Sequence, residues 1–313
     1  MKRTPVKDLA ASVRQRLQNY ADAHGQELQL VLASYGVERF LYRMSRVPVA
    51  RPFVLKGATL FHVWERALSR PTRDVDFLGV GEASPEAIAR LMPRVCEARV
   101  PADGLAFVAA SVEATAIRGH QEYGGVRVKL TAMLGPARIP LRIDVGFGDA
   151  VTPRAQLATF PALLDLPTAR VRVYPPETVV AEKFQAMVAL GLANTRLKDF
   201  YDVLRLAARR EFEGRVLAAA IRATFDRRRT AIPDGPPPAF GAAFSRDAER
   251  QAQWRALLSR GRLNDAPAEL PAAVTRVAEF VVPAARAAAR REPFTRRWRP
   301  IEGWGRGRAR SGS

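Results

Sequence analysis

The sequence predicts an α+β fold in which a mixed sheet with flanking helices is followed by a helical lobe. Three observations lead there. Between residues 53 and 147, short apolar runs alternate with helical stretches. Gly and Pro pairs cut that region into strand-length pieces. From Pro175 onward the apolar residues recur almost entirely at helical spacing. Boundaries follow from these changes of texture. Residues 1–50 read as an N-terminal helical segment, 51–170 as the sheet-bearing core and 171–293 as the helical lobe. Residues 294–313 read as an Arg-rich tail, poorly ordered unless a partner docks on it.

Residues 6–48 carry Leu17, Tyr20, Ala21, Leu28, Val31 and Leu32 at roughly helical spacing, and Gly36 and Pro48 punctuate their end. Phe53-Val54-Leu55 reads as a strand that turns at Lys56-Gly57, and Ala58 to Leu68 as a helix. Asp74-Val75-Asp76-Phe77-Leu78 alternates polar and apolar, the pattern of a half-buried strand. Pro85 to Val95 is helical, with Pro in its first turn. Ala106 to Ile117, Val126 to Leu134 and Leu141 to Phe147 are strands separated by Gly124-Gly125 and by Gly135-Pro136 with Pro140. Helices over Glu177–Leu190, Lys198–Arg209, Val216–Phe225, Phe244–Leu258 and Pro271–Arg290 complete the chain, interrupted by the Pro-rich loop at 233–238.

Composition narrows the function. A hydrophobic fraction of 48% supplies a core and excludes wholesale disorder. Lys and Arg number 50 against 31 Asp and Glu, a formal net charge of +19. Such an excess suits polyanionic partners: nucleic acid, nucleotides or acidic membrane surfaces. An Arg-rich codon bias is the other source of it. Cys96 is the single cysteine, so no internal disulfide forms, and its apolar helical setting points to a core thiol. No apolar run is long enough to span a membrane. The charged start of the chain lacks a signal core. A cytoplasmic protein without membrane contact is expected.

The chemistry-bearing residues begin at Asp74 and Asp76. Residues two apart on a strand face the same way, so both carboxylates project together. Like charges that close repel unless a cation separates them, and Mg²⁺ favours one or two carboxylates plus phosphate oxygens and water. Two solvated acids on a strand edge are the plainer reading. Gly57 upstream lets backbone approach a triphosphate, Thr59 and Thr72 add hydroxyls, and Arg73 adds a permanent cation. Asp144, between Ile143 and Val145, is a third carboxylate for the same cation or an outward-facing acid on an amphipathic strand. Lys183 lies on the apolar flank of its helix, where it snorkels or reaches a phosphate. Asp199 and Asp202 share a helix face; they either favour the helix N-terminus or orient Lys183 and help to activate a hydroxyl.

Lys56-Gly57-Ala58-Thr59, Arg70 to Phe77, Glu182-Lys183-Phe184 and Arg196 to Asp202 occur in that order. As a set, over roughly residues 35–210, they resemble the AbiEii/MenT nucleotidyltransferase toxins of bacterial toxin–antitoxin and phage-defence systems. The resemblance implies a nucleotidyltransferase core similar to that of DNA polymerase β, with Mg²⁺ (or Mn²⁺) and an NTP as ligands. It implies transfer of NMP to the 3′ end of tRNA and a cognate antitoxin partner. Carried over by position, Asp74 and Asp76 match the metal pair, while Asp144 as a third ligand rests on its strand context alone. Thr72 matches the motif's small hydroxyl residue, Lys183 the phosphate-contacting lysine and Asp199 the acid that follows it. Asp74, Asp76, Lys183 and Asp199 are thus the candidate catalytic residues, and Gly57, Thr59, Thr72, Arg73 and Lys183 the candidate nucleotide-binding ones. Where relatives often carry two glycines, the second is Ala58 here, which loosens the inference for Thr59. A protein or small-molecule hydroxyl as acceptor, and a non-catalytic nucleic-acid-binding module, are the competing functions.

Overall fold

A computed structural model of the chain describes residues 8–65, 74–117, 124–261 and 263–306. The chain divides into two compact units. The first comprises Met1–Gly148 and Ala155–Tyr174; the second comprises Asp149–Arg154 and Pro175–Ser313.

The first unit opens with α1 (Leu9–Ala23) and α2 (Leu28–Arg46). Asp8 starts α1 by accepting a hydrogen bond from the Ala11 N–H at 2.9 Å, one of the donors a helix start leaves without a partner. β1 (Val54–Lys56), α3 (Leu60–Glu65), β2 (Asp74–Gly79) and α4 (Pro85–Cys96) follow. Ser84 caps α4 by accepting from the Ala87 N–H, with Pro85 preset for the first turn. β3 (Leu105–Ile117), β4 (Gly125–Leu134), β5 (Ala137–Phe147), β6 (Gln156–Thr159) and β7 (Arg170–Val173) complete the unit. The seven strands form one mixed sheet in the order β3-β4-β5-β2-β1-β7-β6. β2 runs parallel to β5 and β1 parallel to β7; the other pairs are antiparallel.

One sheet face is apolar. Val75, Phe77, Val126, Val128, Ile139, Leu141, Ile143 and Val145 alternate with polar neighbours and are buried. α2 lies on this face. A Cβ at Gly36 would come within 3.0 Å of the Ile139 side chain, so glycine lets the helix approach β5 closely. Below α2, Asp103 receives Arg43 at 2.6 Å and Arg39 at 3.2 Å, all three buried, and Glu38 accepts from the Leu163 N–H at 2.7 Å. The Asp103, Arg39 and Arg43 charges are offset because each is paired and hydrogen-bonded.

The second unit is helical, with a small sheet. It contains α5 (Pro176–Leu190), α6 (Leu197–Arg209), β8 (Phe212–Glu213), α7 (Gly214–Arg227), α8 (Ala242–Ser245), α9 (Ala248–Gly261), α10 (Leu270–Arg290), β9 (Arg297–Arg299) and β10 (Gly303–Gly305). Its core includes Phe184, Phe200, Phe225, Phe244 and Phe280.

The α+β class holds, and several details differ from the sequence reading, among them the helix expected over Phe244–Leu258, which is split into α8 and α9. The N-terminal helices are not a separate segment, because α2 supplies part of the core beneath the sheet. β5 begins before Pro140 rather than after it. Pairing with β2 starts only at Arg142, so at Pro140 the strand has β4 alone as a neighbour, a place that tolerates a missing N–H. β6 and β7 are additions to the expected strands; four residues each are too short for a periodic signal. The Arg-rich C-terminus, expected to be loose, forms β9 and β10 through Gly305. Trp298 is buried and donates to the Ala207 carbonyl at 2.7 Å, and Trp304 donates to that of Phe280 at 2.9 Å. Aromatic packing on Phe280 outweighs the local charge. Among the described residues, no helix is long and apolar enough to cross a membrane.

Candidate active site

Strand register builds the site on the polar face of the first unit. Register partners on adjacent strands project to the same side, so two cross-strand rows of side chains can be read off. In one, Glu113, Lys129, Arg142 and Asp74 stand side by side on β3, β4, β5 and β2. In the next, Thr115, Arg127, Asp144, Asp76 and Lys56 continue across to β1. Asp74, Asp76 and Asp144 therefore share one patch of the sheet.

The first row carries an acid at each end and two cations between them. The second contains one like-charge adjacency, Asp76 beside Asp144. Like charges directly opposite on a sheet are destabilising, and cations flank this pair on both sides. Arg127 donates to both Asp144 oxygens, at 2.8 and 2.7 Å, a bidentate fork that holds the guanidinium above its ordinary pKa. Arg142 is hydrogen-bonded to Asp74. The Lys56 ammonium lies 5.3 Å from the centre of the Tyr174 ring.

Gly57 shapes the other flank. Its φ is +72°, and a Cβ there would lie 2.0 Å from Oδ2 of Asp76. Only glycine accepts both the backbone conformation and the contact. Thr59 is fully buried, and its hydroxyl donates to the Asp74 carbonyl at 3.1 Å, tying the residue just before α3 to the first residue of β2. Thr72 and Arg73 lie outside the described residues.

Among the described residues, no group of three or more His, Cys, Asp or Glu side chains is arranged to hold a metal ion. Two of the three sheet carboxylates are turned onto arginines instead. The donor set nonetheless fits a hard divalent cation: all the donors are carboxylate oxygens, and one adjacent pair carries like charge. A cation there would compete with Arg127 for Asp144 and with Arg142 for Asp74.

Lys183, Asp199 and Asp202 belong to the second unit and form a cluster there. Lys183 on α5 is 2.7 Å from Asp199 and 2.9 Å from Asp202, both on α6. Arg196 adds a second contact to Asp199 at 2.8 Å. Burial alone would depress the lysine pKa, but Asp202 and Asp199 together hold it well above its ordinary value. Burial alone would likewise raise Asp199, but Lys183 and then Arg196 hold its carboxyl below the usual range. The two acids favour the charged form of the lysine and fix its direction.

Arg127 and Arg142 are site residues that the sequence reading misses. The alternation Arg127-Val128-Lys129 and Arg142-Ile143-Asp144 is the available signal; the partners stay hidden because register between strands is not written in either strand.

A search of the curated proteins gives no match. Two solved structures from Helicobacter pylori align over 85% of this chain at 16% identity. JHP933 aligns over 94% of its own length with a TM-score of 0.48, and a candidate nucleotidyltransferase over 96% with a TM-score of 0.42. The family described as "Nucleotidyl transferase AbiEii toxin, Type IV TA system" matches residues 39–289, most of both units. The chain belongs to this family of AbiEii nucleotidyl transferase toxins.

Proposed function

We propose that the chain transfers NMP from an NTP to the 3′ end of tRNA in a divalent-cation-dependent reaction, as the toxin of a toxin–antitoxin pair that serves phage defence. The observation that carries the reading is Asp76 placed directly beside Asp144, with Asp74 two residues along the same face. Asp74, Asp76 and Asp144 are the residues that would hold Mg²⁺ or Mn²⁺, which in such sites lowers the pKa of an attacking hydroxyl and offsets charge on the leaving pyrophosphate.

The chain's own groups divide the remaining work. Gly57 brings backbone close to the Asp76 carboxylate and leaves room for a triphosphate on the β1 flank. Thr59 fixes the start of β2 and so the direction of Asp74. Thr72 and Arg73 are assigned to the nucleotide by the motif they share with Asp74. Lys183 is assigned phosphate contact, and Asp199 holds its ammonium charged and aimed; fixed charge of this kind stabilises a developing oxyanion without reorganising. The net charge of +19 supports an RNA acceptor. The family's type IV toxin–antitoxin description supports a cognate antitoxin.

Incubation with labelled NTPs and total cellular RNA tests this. Label in the tRNA fraction, lost in Asp76→Ala, is expected. Label confined to protein or small molecules would replace the tRNA reading with the alternative acceptor.

A further inference from the structure

The polar face carries a second feature beside the carboxylates. A concavity of about 550 Å³ opens over β3, β4 and β5 and reaches Asp74 at one edge. That volume falls within the roughly 300–1,000 Å³ usual for ligand sites. Ser111, Glu113, Lys129, Thr131, Arg138 and Arg142 supply its polar lining.

A break in the sheet makes this space. β3 and β4 lose register between Val108 and Glu113. There the Thr131 N–H donates to the Ser111 hydroxyl at 2.9 Å, and that hydroxyl donates to the Val108 carbonyl at 2.7 Å. A side chain stands in for ladder bonding where the register shifts. Irregularities of this kind cluster beside active sites, where they re-aim side chains.

The charge is unbalanced. Three cations face Glu113 and Asp74. Among the described residues, Lys129 and Arg138 form no salt bridge, and both are exposed; Arg138 donates only to the Thr131 hydroxyl at 3.3 Å. Arg142 is the junction, since it lines the groove and also binds Asp74. The sheet order separates this flank from the glycine turn. β1 and Gly57 lie on one side of β2, while β5, β4 and β3 lie on the other. A triphosphate at the glycine turn leaves the basic groove for a different anion.

We propose that the groove over β3–β5 seats the phosphodiester backbone of the acceptor RNA, with Lys129 and Arg138 on successive phosphates and Arg142 exchanging Asp74 for a phosphate as the strand arrives. The proposal rests on the nucleotidyltransferase reading and adds the acceptor's location. It gives the site an order: the strand that brings the attacking hydroxyl also releases the Asp74 carboxylate. Contacts of this kind position a strand without reading its sequence.

The test is binding of a short fluorescent single-stranded RNA, without NTP, across a salt series, to the full chain and to the double variant Lys129→Ala/Arg138→Ala. Both positions are exposed on strand faces, and a thermal melt checks folding. Each lost phosphate contact lowers the slope of log K against log salt by about 0.7 for a single strand. The double variant should lose about 1.4 in slope and bind at least tenfold more weakly at moderate salt. Binding of a fluorescent NTP should stay within about twofold of the parent protein. An unchanged RNA slope in a folded variant overturns the proposal. A drop in NTP affinity with RNA binding intact overturns it too, and moves the groove to the triphosphate. Failure of the parent protein to label any RNA counts against the nucleotidyltransferase reading instead, because binding is measured without turnover.

Discussion

Gly57→Ala tests most sharply how backbone positions the carboxylates. Two costs are separable. The first is conformational: a φ of +72° costs an L-residue about 1–2 kcal/mol. The second is steric and local. The new Cβ would lie 2.0 Å from Oδ2 of Asp76, whereas ordinary contact begins at 3.4 Å. The carboxylate must therefore retreat by about 1.4 Å, the difference between those distances. A misplacement of about 1 Å at a reacting centre can cost roughly 100-fold in rate. Gly25→Ala is the control, because Gly25 has a φ of +59° and an added methyl there would meet nothing within 4 Å. Chemical denaturation should show a loss of about 1–2 kcal/mol for Gly25→Ala and at least that for Gly57→Ala, which adds the contact with Asp76. Transfer assays with labelled NTP should show a loss of at least about 100-fold for Gly57→Ala only. Gly57→Ala activity equal to that of Gly25→Ala would refute the claim that the turn sets the Asp76 carboxylate.

Two further outcomes follow from the buried charges. Lys183→Met leaves Asp199 and Asp202 buried side by side with Arg196 as a remaining close cation, and urea denaturation should show a loss of about 3 kcal/mol; a loss under about 1 kcal/mol would mean that the cluster carries little stability. Burial pushes Glu38 from 4.5 up to about 7, against the opposing pull of the Leu163 N–H and Arg39. A raised acid pKa means that the folded state holds the proton longer, so this contribution is complete below pH 4.5 and is lost as pH rises through about 7. Unfolding free energy should carry a falling component of about 3 kcal/mol across that window, absent in Glu38→Gln; identical pH profiles for the two proteins would remove Glu38 as its source.

The carboxylates and the arginines differ in how far sequence exposes them. Asp74 and Asp76 are two residues apart on a recognisable strand, so their shared face follows from local geometry. Asp144 stands out as an acid between two apolar residues, Ile143 and Val145. That it falls beside Asp76 depends on a parallel pairing between strands distant in sequence, which local pattern does not encode. The arginine contacts depend on the same register. Thr59 shows the opposite case: local context makes its hydroxyl a nucleotide contact, and in the fold it donates to the Asp74 carbonyl. Tertiary hydrogen bonding claims a group that local context leaves open. At the C-terminus the arginines are plain in the sequence, but Trp298 and Trp304 decide the structure by packing on Phe280.

The most direct measurement of the central claim is Mn²⁺ titration by electron paramagnetic resonance, without substrates, on the parent protein, Asp76→Ala and Arg127→Ala. A bound-Mn²⁺ signal is expected in the parent and is expected to be lost in Asp76→Ala. Arg127→Ala should bind more tightly, because removing the fork that occupies both Asp144 oxygens leaves that carboxylate to the cation. Equal Mn²⁺ binding by all three proteins would contradict that claim and leave the three aspartates as ordinary ion-pairing residues of a charged sheet face.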